Sequence, residues 1–269
     1  MPLMDGAAGG LSWNGGLTIS LRGTLSVVVG ASEGIGAAIA VGLAKAGSRL
    51  VVSGRDKSRM TATIKEIRDN GGTVDMESVD VRTPEAVQSF SRTVLETYGA
   101  PTILVNSMGG TLIKAMRDVE VDEWDDLHNT HLRGTFLTCR AFARAMADKG
   151  YGKIINLSSL SAFRGNRLRG VYSVAKAGLN HLTAVLASEW GPFGIRVNGI
   201  APATTRTPRA SAQLAREPER EADLIKRTPL GRIATPEDMV GPALFLASPL
   251  SDFVTGQTLV VDGGSMMAR

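Results

Sequence analysis

The sequence is poor in cysteine and histidine. Its 269 residues include one cysteine, Cys139, and three histidines, His128, His131 and His181. A single cysteine cannot form an intrachain disulfide, which fits a reducing compartment. Because no CxxC or HExxH pattern occurs, we expect no bound metal. Cys139 ends the mostly apolar stretch 136–139, which favours a small core residue over a nucleophile.

Long apolar runs and long runs of like charge are also missing. Without a run of about 18 apolar residues, no membrane-spanning helix is expected. The net charge is +4 and is spread along the chain, so we expect a solvated basic surface and no nucleic-acid binding. Residues 1–20 lack the basic start and apolar run of a signal peptide. We therefore expect a flexible N-terminal arm at 1–20, one domain at 21–269 and a cytoplasmic protein.

What the sequence does contain is an alternation of short apolar runs and longer amphipathic stretches. The apolar runs predict strands, and the stretches with helical periodicity predict helices. The predicted strands are 25–29, 49–53, 73–78, 102–105, 153–157, 196–200 and 258–261, and the predicted helices are 34–46, 60–70, 84–98, 121–148 and 171–190. Because these strands are too apolar for a solvated face, they predict an α/β fold, a doubly wound Rossmann-type parallel sheet with helices on both faces.

One segment, 203–232, interrupts this alternation with a mixture rich in Arg, Glu, Pro and Ala. A long insert after the carboxyl end of a strand is where such folds place substrate loops, and we expect that role here. Arg206 and Arg209 would favour acidic substrates. The mixed charges further along the segment are more typical of a solvated helix face.

A glycine-rich turn, Gly30-Ala-Ser-Glu-Gly34-Ile-Gly36, follows the first predicted strand and opens the first predicted helix. Glycine at 30 permits a tight turn, and glycine at 34 or 36 lets the backbone approach a pyrophosphate. The helix N-terminus then offers free N–H groups to the phosphates. The spacing is GxxxGxG and not the more familiar GxGxxG. Its place between a strand and a helix nevertheless predicts a dinucleotide cofactor.

The end of the second strand bears on the choice of cofactor. An acidic residue there bonds the ribose 2′-hydroxyl of NAD, whereas the 2′-phosphate of NADP requires a cation and no facing carboxylate. Gly54 removes the carboxylate, Arg55 offers a planar cation, and Ser32 could add a hydroxyl. Glu33 and Asp56 would repel a phosphate if either pointed inward. The pattern favours NADP(H), with NAD(H) as the alternative.

Tyr172 and Lys176 are four residues apart in a predicted helix, which places them on one face. A free tyrosine has a pKa of about 10 and is a poor acid/base catalyst at neutral pH. A nearby ammonium group would stabilise the phenolate and lower that pKa. Tyr172 could then give a proton to a carbonyl oxygen that receives hydride, and Ser159 could hydrogen-bond the same oxygen.

Together these motifs resemble the short-chain dehydrogenase/reductase family of the single-domain type, over about residues 21–264. The resemblance rests on blocks in the family's order: 30–36, Asp80-Val81, Asn106, 154–159, 172–178, 196–202 and 255–264. The blocks 154–159 and 261–264 are similar to those of the ketoreductases that act on 3-oxoacyl-acyl-carrier protein. The family implies a doubly wound sheet of about seven parallel strands.

The resemblance also implies the role of each catalytic residue. Tyr172 would be the general acid/base. Lys176 would lower its pKa and hold the nicotinamide ribose, and Ser159 would orient the substrate oxygen.

A larger set would bind the cofactor. Asp80 and Val81 would flank the adenine, Asn106 would lie by the adenosine ribose, and Thr207 would reach the nicotinamide side. The full set of expected cofactor-binding residues is Gly30, Ser32, Gly34, Ile35, Gly36, Arg55, Asp80, Val81, Asn106, Gly109, Tyr172, Lys176, Pro202 and Thr207.

The main departures from the family pattern lie in two segments. Asn106-Ser-Met-Gly109 stands where the family usually has Asn-Asn-Ala-Gly. His131 stands where the long helix usually carries an asparagine that helps to hold a proton-relay water. Since imidazole titrates near neutral pH, our hypothesis is that His131 joins the relay and makes activity pH-sensitive near its own pKa. The alternative is a helix histidine that faces elsewhere.

The leading interpretation is an NADP(H)-dependent oxidoreductase that transfers hydride between the cofactor and a carbonyl or alcohol. An acyl-carrier-linked ketone, a sugar, a steroid and a small alcohol all stay open as substrates. The alternatives are an NAD-linked alcohol dehydrogenase and a non-catalytic nucleotide-binding sensor, which would not need Ser159, Tyr172 and Lys176 together. By analogy with the family we also expect a homotetramer, with the helices near 121–149 and 171–190 at one interface.

Overall fold

A computed structural model describes residues 10–12 and 18–268 of the chain. Seven strands form one parallel sheet in the order β5-β4-β3-β6-β7-β8-β9. Their bounds are Leu25–Val29 (β3), Arg49–Gly54 (β4), Val74–Ser78 (β5), Ile103–Asn106 (β6), Gly152–Leu157 (β7), Ile195–Pro202 (β8) and Thr258–Val261 (β9). Each predicted strand is present with its ends shifted by at most two residues, and the predicted fold class is confirmed.

Helices cover both faces of this sheet. Their bounds are Gly34–Lys45 (α1), Thr61–Asp69 (α2), Pro84–Thr97 (α3), Val121–His128 (α4), Gly134–Asp148 (α5), Gly170–Trp190 (α6), Pro208–Leu214 (α7), Pro218–Lys226 (α8) and Val240–Ala247 (α9). Successive strand residues point to opposite faces, so Val28 packs in a core with α1, α2 and α9, while Val27 packs in a second core with α3, α5 and α6. Burial on both faces explains why the strands are almost wholly apolar.

The strand order creates a crevice at the carboxyl edge of the sheet. β3 lies between β4 and β6, so the chain runs outward to one side of β3 and later resumes on the other side. The loops that leave β3 and β6 therefore diverge, and open α/β sheets bind ligands at such a point. The turn that follows β3 begins at Gly30, and the loop that follows β6 begins at Ser107.

Two predicted segments have more structure than expected. The predicted helix 121–148 is divided into α4 and α5 by a wider π-helical turn, Asn129–Arg133, which contains His131. The segment 203–232 contains the short helices α7 and α8, each with a proline in its first turn. Both segments follow the carboxyl ends of strands, β6 and β8, and both contribute to the crevice.

The expected N-terminal arm is partly regular. Gly10–Ser12 (β1) pairs antiparallel with Thr18–Ser20 (β2), so this part of the arm forms a two-stranded ribbon. Residues 1–9 and 13–17 of the arm lie outside the described residues. None of the described helices is both long and apolar enough to cross a membrane.

Candidate active site

A single cleft of about 1860 Å³ occupies the carboxyl edge of the sheet. It is larger than the roughly 300–1,000 Å³ of most ligand pockets. Every predicted site residue except Asn106 lines it, together with residues of the loops after β6 and β7 and of the segment 203–232. Its size and lining suit a long ligand and a second molecule beside it.

The glycine turn fits closely against the loop after β6. A Cβ atom added at Gly30, where φ is +90°, would lie 2.5 Å from the backbone oxygen of Ser107. A Cβ atom at Gly36 would lie 2.1 Å from the oxygen of Gly30. Ile35 and Ser32 line the cleft beside these glycines. The first turn of α1 therefore keeps its backbone N–H groups open to the cleft, as a pyrophosphate requires.

The end of β4 presents cations to the cleft and keeps its carboxylates occupied. Arg55 lines the cleft and is exposed. Glu33 is paired with Arg59 at 3.0 Å, and the Asp56 carboxylate accepts hydrogen bonds from the backbone and hydroxyl of Ser58. These hydrogen bonds lower the pKa of Asp56. The two acidic residues that could have opposed a 2′-phosphate are thus held by other partners.

Asp80 and Val81 lie beyond this cationic end. The Asp80 carboxylate accepts hydrogen bonds from Nε and Nη2 of Arg82, and these lower its pKa. Arg82 also pairs with Asp126 at the start of the helical region. Val81 is buried and packs against Gly134, where a Cβ atom would lie 2.8 Å from Val81 Cγ2. This part of the cleft offers an apolar side chain beside a fixed carboxylate.

Asn106 is the exception among the predicted site residues. Its side chain is buried and does not line the cleft. Its Nδ2 donates to Asn156 Oδ1 at 3.0 Å, and its Oδ1 accepts from Thr138 Oγ1 at 2.7 Å. The side chain therefore ties β6 to β7 and α5, and the expected position of Asn106 by an adenosine ribose stays a prediction. Its neighbours Ser107 and Met108 line the cleft instead.

Another part of the cleft wall is formed by Pro202, at the end of β8, and by Thr207. Thr207 begins α7, and its hydroxyl accepts a hydrogen bond from Ala210 N at 3.3 Å. A Cβ atom at Gly34 would lie 2.8 Å from Thr207 Cγ2, so the threonine closes over the glycine turn. Gly109 lies exposed on the facing loop after β6.

Tyr172, Lys176 and Ser159 meet in the middle of the cleft. Tyr172 and Lys176 lie on one face of α6, with Lys176 Nζ 5.8 Å from the centre of the phenol ring. Ser159 follows β7 at the carboxyl edge of the sheet, and its side chain interacts with the phenol. Lys176 Nζ donates a hydrogen bond to the carbonyl oxygen of Leu157 at 2.5 Å. The arrangement that the sequence predicts is present.

The electrostatics of this group differ from the expectation. Burial raises the pKa of Tyr172, although a hydrogen bond with Ser159 and the charge of Arg169 oppose the rise. Burial also lowers the pKa of Lys176 to about 7. Burial thus shifts the pKa of the phenol in the direction opposite to that expected from a nearby ammonium group, and the expected role of Lys176 stays a prediction.

His131 packs directly against Tyr172. The two rings meet edge to face with their centres 5.3 Å apart. His131 Nε2 lies 3.0 Å from the carbonyl oxygen of Gly110 and must carry the proton to donate to it. Nδ1 is then a bare acceptor, buried and without a hydrogen-bond partner among the described residues. Burial and the charge of Lys176 hold the pKa of His131 well below its ordinary value, which favours a neutral imidazole, and the proposed part of His131 in a relay stays a prediction.

Several arginines of the cleft were not among the predicted site residues. Arg164, Arg167 and Arg169, in the loop between β7 and α6, line its outer end with Arg209. Arg169 is three residues before Tyr172 in the sequence, and this spacing could have indicated that the two side chains lie close together. Arg206 is held by Glu221 in the segment 203–232. Across residues 18–268, no group of three or more metal-ligating side chains is placed to hold an ion.

The residues of the cleft fit a nicotinamide dinucleotide. The glycines admit a backbone-bound pyrophosphate, the cations by β4 suit the adenosine end, and a phenol, a hydroxyl and an amine stand where a reacting carbonyl could reach them. A phenol that gives or takes a proton beside a hydride donor defines an oxidoreductase acting on carbonyls and alcohols.

Comparison with known proteins places the chain within a family. A family model described as Enoyl-(Acyl carrier protein) reductase matches residues 30–266. The 2-dehydro-3-deoxy-D-gluconate 5-dehydrogenase of Escherichia coli is 35% identical over 248 residues, which cover 91% of this chain and 96% of that protein. The L-rhamnose 1-dehydrogenase (NAD(P)(+)) of Azotobacter vinelandii is 36% identical over 88% of this chain and 94% of its own length.

A solved relative agrees in structure. The crystal structure of a gluconate 5-dehydrogenase from Burkholderia cenocepacia in complex with NADP and tartrate superposes with a TM-score of 0.89 at 34% identity, covering 93% of this chain and 98% of that one. The chain belongs to the short-chain dehydrogenase/reductase family. It is an oxidoreductase that transfers hydride between a nicotinamide cofactor and a carbonyl or alcohol, as the sequence predicted.

Proposed function

We propose that this protein catalyses the reversible NADP(H)-dependent interconversion of a ketone and a secondary alcohol on a small hydroxylated substrate. The observation that carries the proposal is the meeting of Ser159, Tyr172 and Lys176 in the cleft that the glycine turn lines. Relatives named as gluconate and rhamnose dehydrogenases support a hydroxylated substrate.

NADP(H) is the cofactor that the cleft suits best. Arg55 stands beside Ser32 at the end of β4, while Glu33 and Asp56 are held by Arg59 and Ser58. A 2′-phosphate would therefore meet a guanidinium and a hydroxyl and no free carboxylate. A relative bound to NADP and another named for NAD(P)(+) support NADP(H), with NAD(H) as the second cofactor.

Tyr172 is the proposed acid/base. When bound, NADP(H) supplies the hydride for the carbonyl carbon or takes it back from the alcohol carbon. In reduction, the Tyr172 hydroxyl donates a proton to the substrate oxygen, and in oxidation it accepts that proton. Burial raises its pKa, so the hydroxyl is protonated at neutral pH, which is the state that reduction requires. Ser159 Oγ holds the same substrate oxygen.

Lys176 and His131 support this proton transfer. With a pKa of about 7, Lys176 can exchange a proton with solvent at neutral pH and so restore the phenol. His131 is held neutral by burial, and its buried Nδ1, which has no hydrogen-bond partner among the described residues, is the acceptor that a relay water would use. Its proposed part in a relay is thus that of a neutral acceptor, without a change of charge.

An acyl-carrier-linked ketone is the second candidate substrate, and the description of the matched family model supports the acyl carrier, though it names an enoyl group and not a ketone. The expected tetramer also stays a prediction. Phe136 on α5 and Val174 and Val185 on α6 are exposed apolar side chains on the two helices expected at that interface.

The direct test is a fluorescence titration with NADPH and NADH, followed by a carbonyl panel with the tighter cofactor. The panel contains sugar-acid ketones, neutral ketoses, simple ketones and a β-ketoacyl pantetheine thioester. We expect tighter binding of NADPH and turnover of a small hydroxylated ketone. Turnover of the thioester alone would favour the acyl-carrier candidate. Binding of NADPH without turnover of any compound would favour the sensor and overturn the proposal.

A further inference from the structure

The outer end of the cleft carries a surplus of positive charge. In the segment 203–232 most arginines that face the cleft have a carboxylate partner: Arg220 with Glu217, Arg227 with Asp223 and Arg232 with Asp238. The four arginines Arg164, Arg167, Arg169 and Arg209 form no ion pair with any described residue. We call these four the free arginines.

Arg169 is the free arginine that lies deepest. Its side chain is half-buried, whereas the other three are exposed. It shares the cleft with Tyr172 and lies close enough for its charge to act on the phenol. Burial lowers the pKa of Arg169, which reflects the cost of holding a cation away from water without an anion. Among the described side chains none accepts a hydrogen bond from its guanidinium.

The charges around Arg169 leave this cation uncompensated. Its electrostatic neighbours are Arg220, Glu217 and Arg209. Glu217 is the one carboxylate among them, and it already accepts hydrogen bonds from Arg220 Nη1 at 2.6 Å and from Gln213 Nε2 at 3.2 Å. Arg209 donates to the backbone oxygen of Thr111 and brings a second positive charge to the same wall.

The backbone before α6 holds Arg169 in place. Leu168 has a φ of +62°, in the left-handed region that non-glycine residues rarely adopt. Its carbonyl oxygen accepts a hydrogen bond from Lys114 N at 2.8 Å, which links this loop to the loop after β6. Such backbone conformations persist where the surrounding structure fixes them, often at ligand sites.

We propose that Arg169 binds a carboxylate of the substrate, and that the natural substrate is therefore a hydroxy- or keto-carboxylate and not a neutral sugar or alcohol. This inference rests on the proposed function and adds the charge of the substrate to it. The guanidinium pairs with a carboxylate through two parallel hydrogen bonds. The reacting carbon then lies at Tyr172 while the acid group extends toward the outer end of the cleft.

The test compares each acid with the neutral polyol that has the same carbon chain. Gluconate and glucitol form one pair and tartrate and threitol another, since each polyol is the acid with its carboxylates reduced. Calorimetric titration into the NADP⁺-loaded enzyme gives the dissociation constant for each. We expect at least one acid to bind about 10-fold to 100-fold more tightly than its polyol, the range of charge-assisted hydrogen bonds.

Variants of Arg169 identify the residue responsible. Arg169→Gln should reduce the preference for the acid to about 1, and Arg169→Lys, which keeps the charge but loses the paired geometry, should retain part of it. Arg144→Gln on α5, exposed and outside the cleft, makes the same change in net charge and should leave the preference intact. NADPH affinity should be equal in all four proteins, which verifies that each is folded.

Two results would overturn the inference. One is a wild-type enzyme that binds neither acid more tightly than its polyol. The other is a preference that survives in Arg169→Gln. Both are distinct from failure of the proposed function, which would appear as weak NADPH binding or as an absence of turnover across the carbonyl panel.

Discussion

The two ends of the cleft are built in different ways. The end near β3 is shaped by backbone: Gly30 and Gly36 pack so closely against neighbouring backbone atoms that no side chain fits. The outer end is shaped by long side chains: Arg169 directly precedes the long helix α6, and Arg209 lies in the first turn of the short helix α7. The end near β3 can accept only one kind of group, a pyrophosphate bound at the start of a helix. At the outer end, by contrast, substitution of a few side chains would be enough to change the ligand.

The largest effect should come from Tyr172, where the two ends meet. Tyr172→Phe removes the proton donor and should lower kcat by about 10³-fold, within the range for general acid/base catalysis. NADPH affinity should be unchanged, because only the hydroxyl is lost. Tyr151→Phe is the matched control, since its hydroxyl bonds Asp252 away from the cleft. Equal losses in both variants would show that Tyr172 has no special role.

A substitution at Arg55 tests the part of the cleft that would bind the adenosine end of the cofactor. Arg55→Asp should weaken NADPH binding by about 100-fold while NADH binding holds or improves, since a charge-assisted hydrogen bond contributes about 1.5–3 kcal/mol. The measurement is a fluorescence titration with both cofactors. Arg144→Asp, which makes the same charge change outside the cleft, should leave the ratio of the two affinities intact. A ratio that is unchanged in Arg55→Asp would remove the basis for NADP(H).

A substitution at Lys176 tests whether burial of its ammonium group lowers the free energy of unfolding. Its pKa is lowered from 10.5 to about 7, so the native state releases a proton that the unfolded chain keeps. The loss of stability that burial of the charged amine causes is therefore greatest below about pH 7, and it disappears as the pH rises toward 10.5. Lys176→Met should therefore raise the free energy of unfolding at pH 7, by at most about 5 kcal/mol and by less once the lost hydrogen bond to the Leu157 carbonyl is counted, although it lowers activity.

Thermal melts of the cofactor-free enzyme at several pH values measure this difference. The gain in Tm from Lys176→Met should shrink steadily between pH 7 and pH 10. A variant that is less stable than the wild type at pH 7 would contradict the burial argument.

The smallest effect should come from His131. Because its pKa is held well below 6.5, it keeps one charge state through the neutral range. His131→Asn should change kcat by no more than about 10-fold, the size of one or two neutral hydrogen bonds, and should leave the shape of the pH–rate profile unchanged between pH 6 and 8. A wild-type step near pH 6.5 that the variant lacks would restore the original hypothesis of a titrating histidine.

The same contrast explains how much the sequence could predict. Apolar strands and a glycine turn have few alternatives, so the sheet, the turn and the spacing of Tyr172 and Lys176 were all predicted correctly. The direction of the Asn106 side chain could not be predicted, because it depends on partners distant in sequence, Asn156 and Thr138. Desolvation likewise appears only in three dimensions, so the sequence could not show that burial raises the pKa of Tyr172 and lowers the pKa of His131.

The charge of the outer end could be predicted only in part, since Arg209 was expected to favour acidic substrates but Arg164, Arg167 and Arg169 were not. Which arginines keep a carboxylate partner depends on helices α7 and α8, whose packing the sequence pattern did not fix. Arg206 was expected in a substrate role but pairs with Glu221, while Arg169 lies in the cleft without a carboxylate partner among the described residues.

The most direct measurement follows the hydride itself. NADPH is labelled with deuterium at one or the other of its two C4 positions, and each form is incubated with the enzyme and a reducible ketone from the panel. The mass of the alcohol product is then measured by mass spectrometry. Direct transfer within one cleft predicts an alcohol one mass unit heavier from one labelled cofactor and unlabelled alcohol from the other. Label released to water, or an equal share from both cofactors, would contradict it.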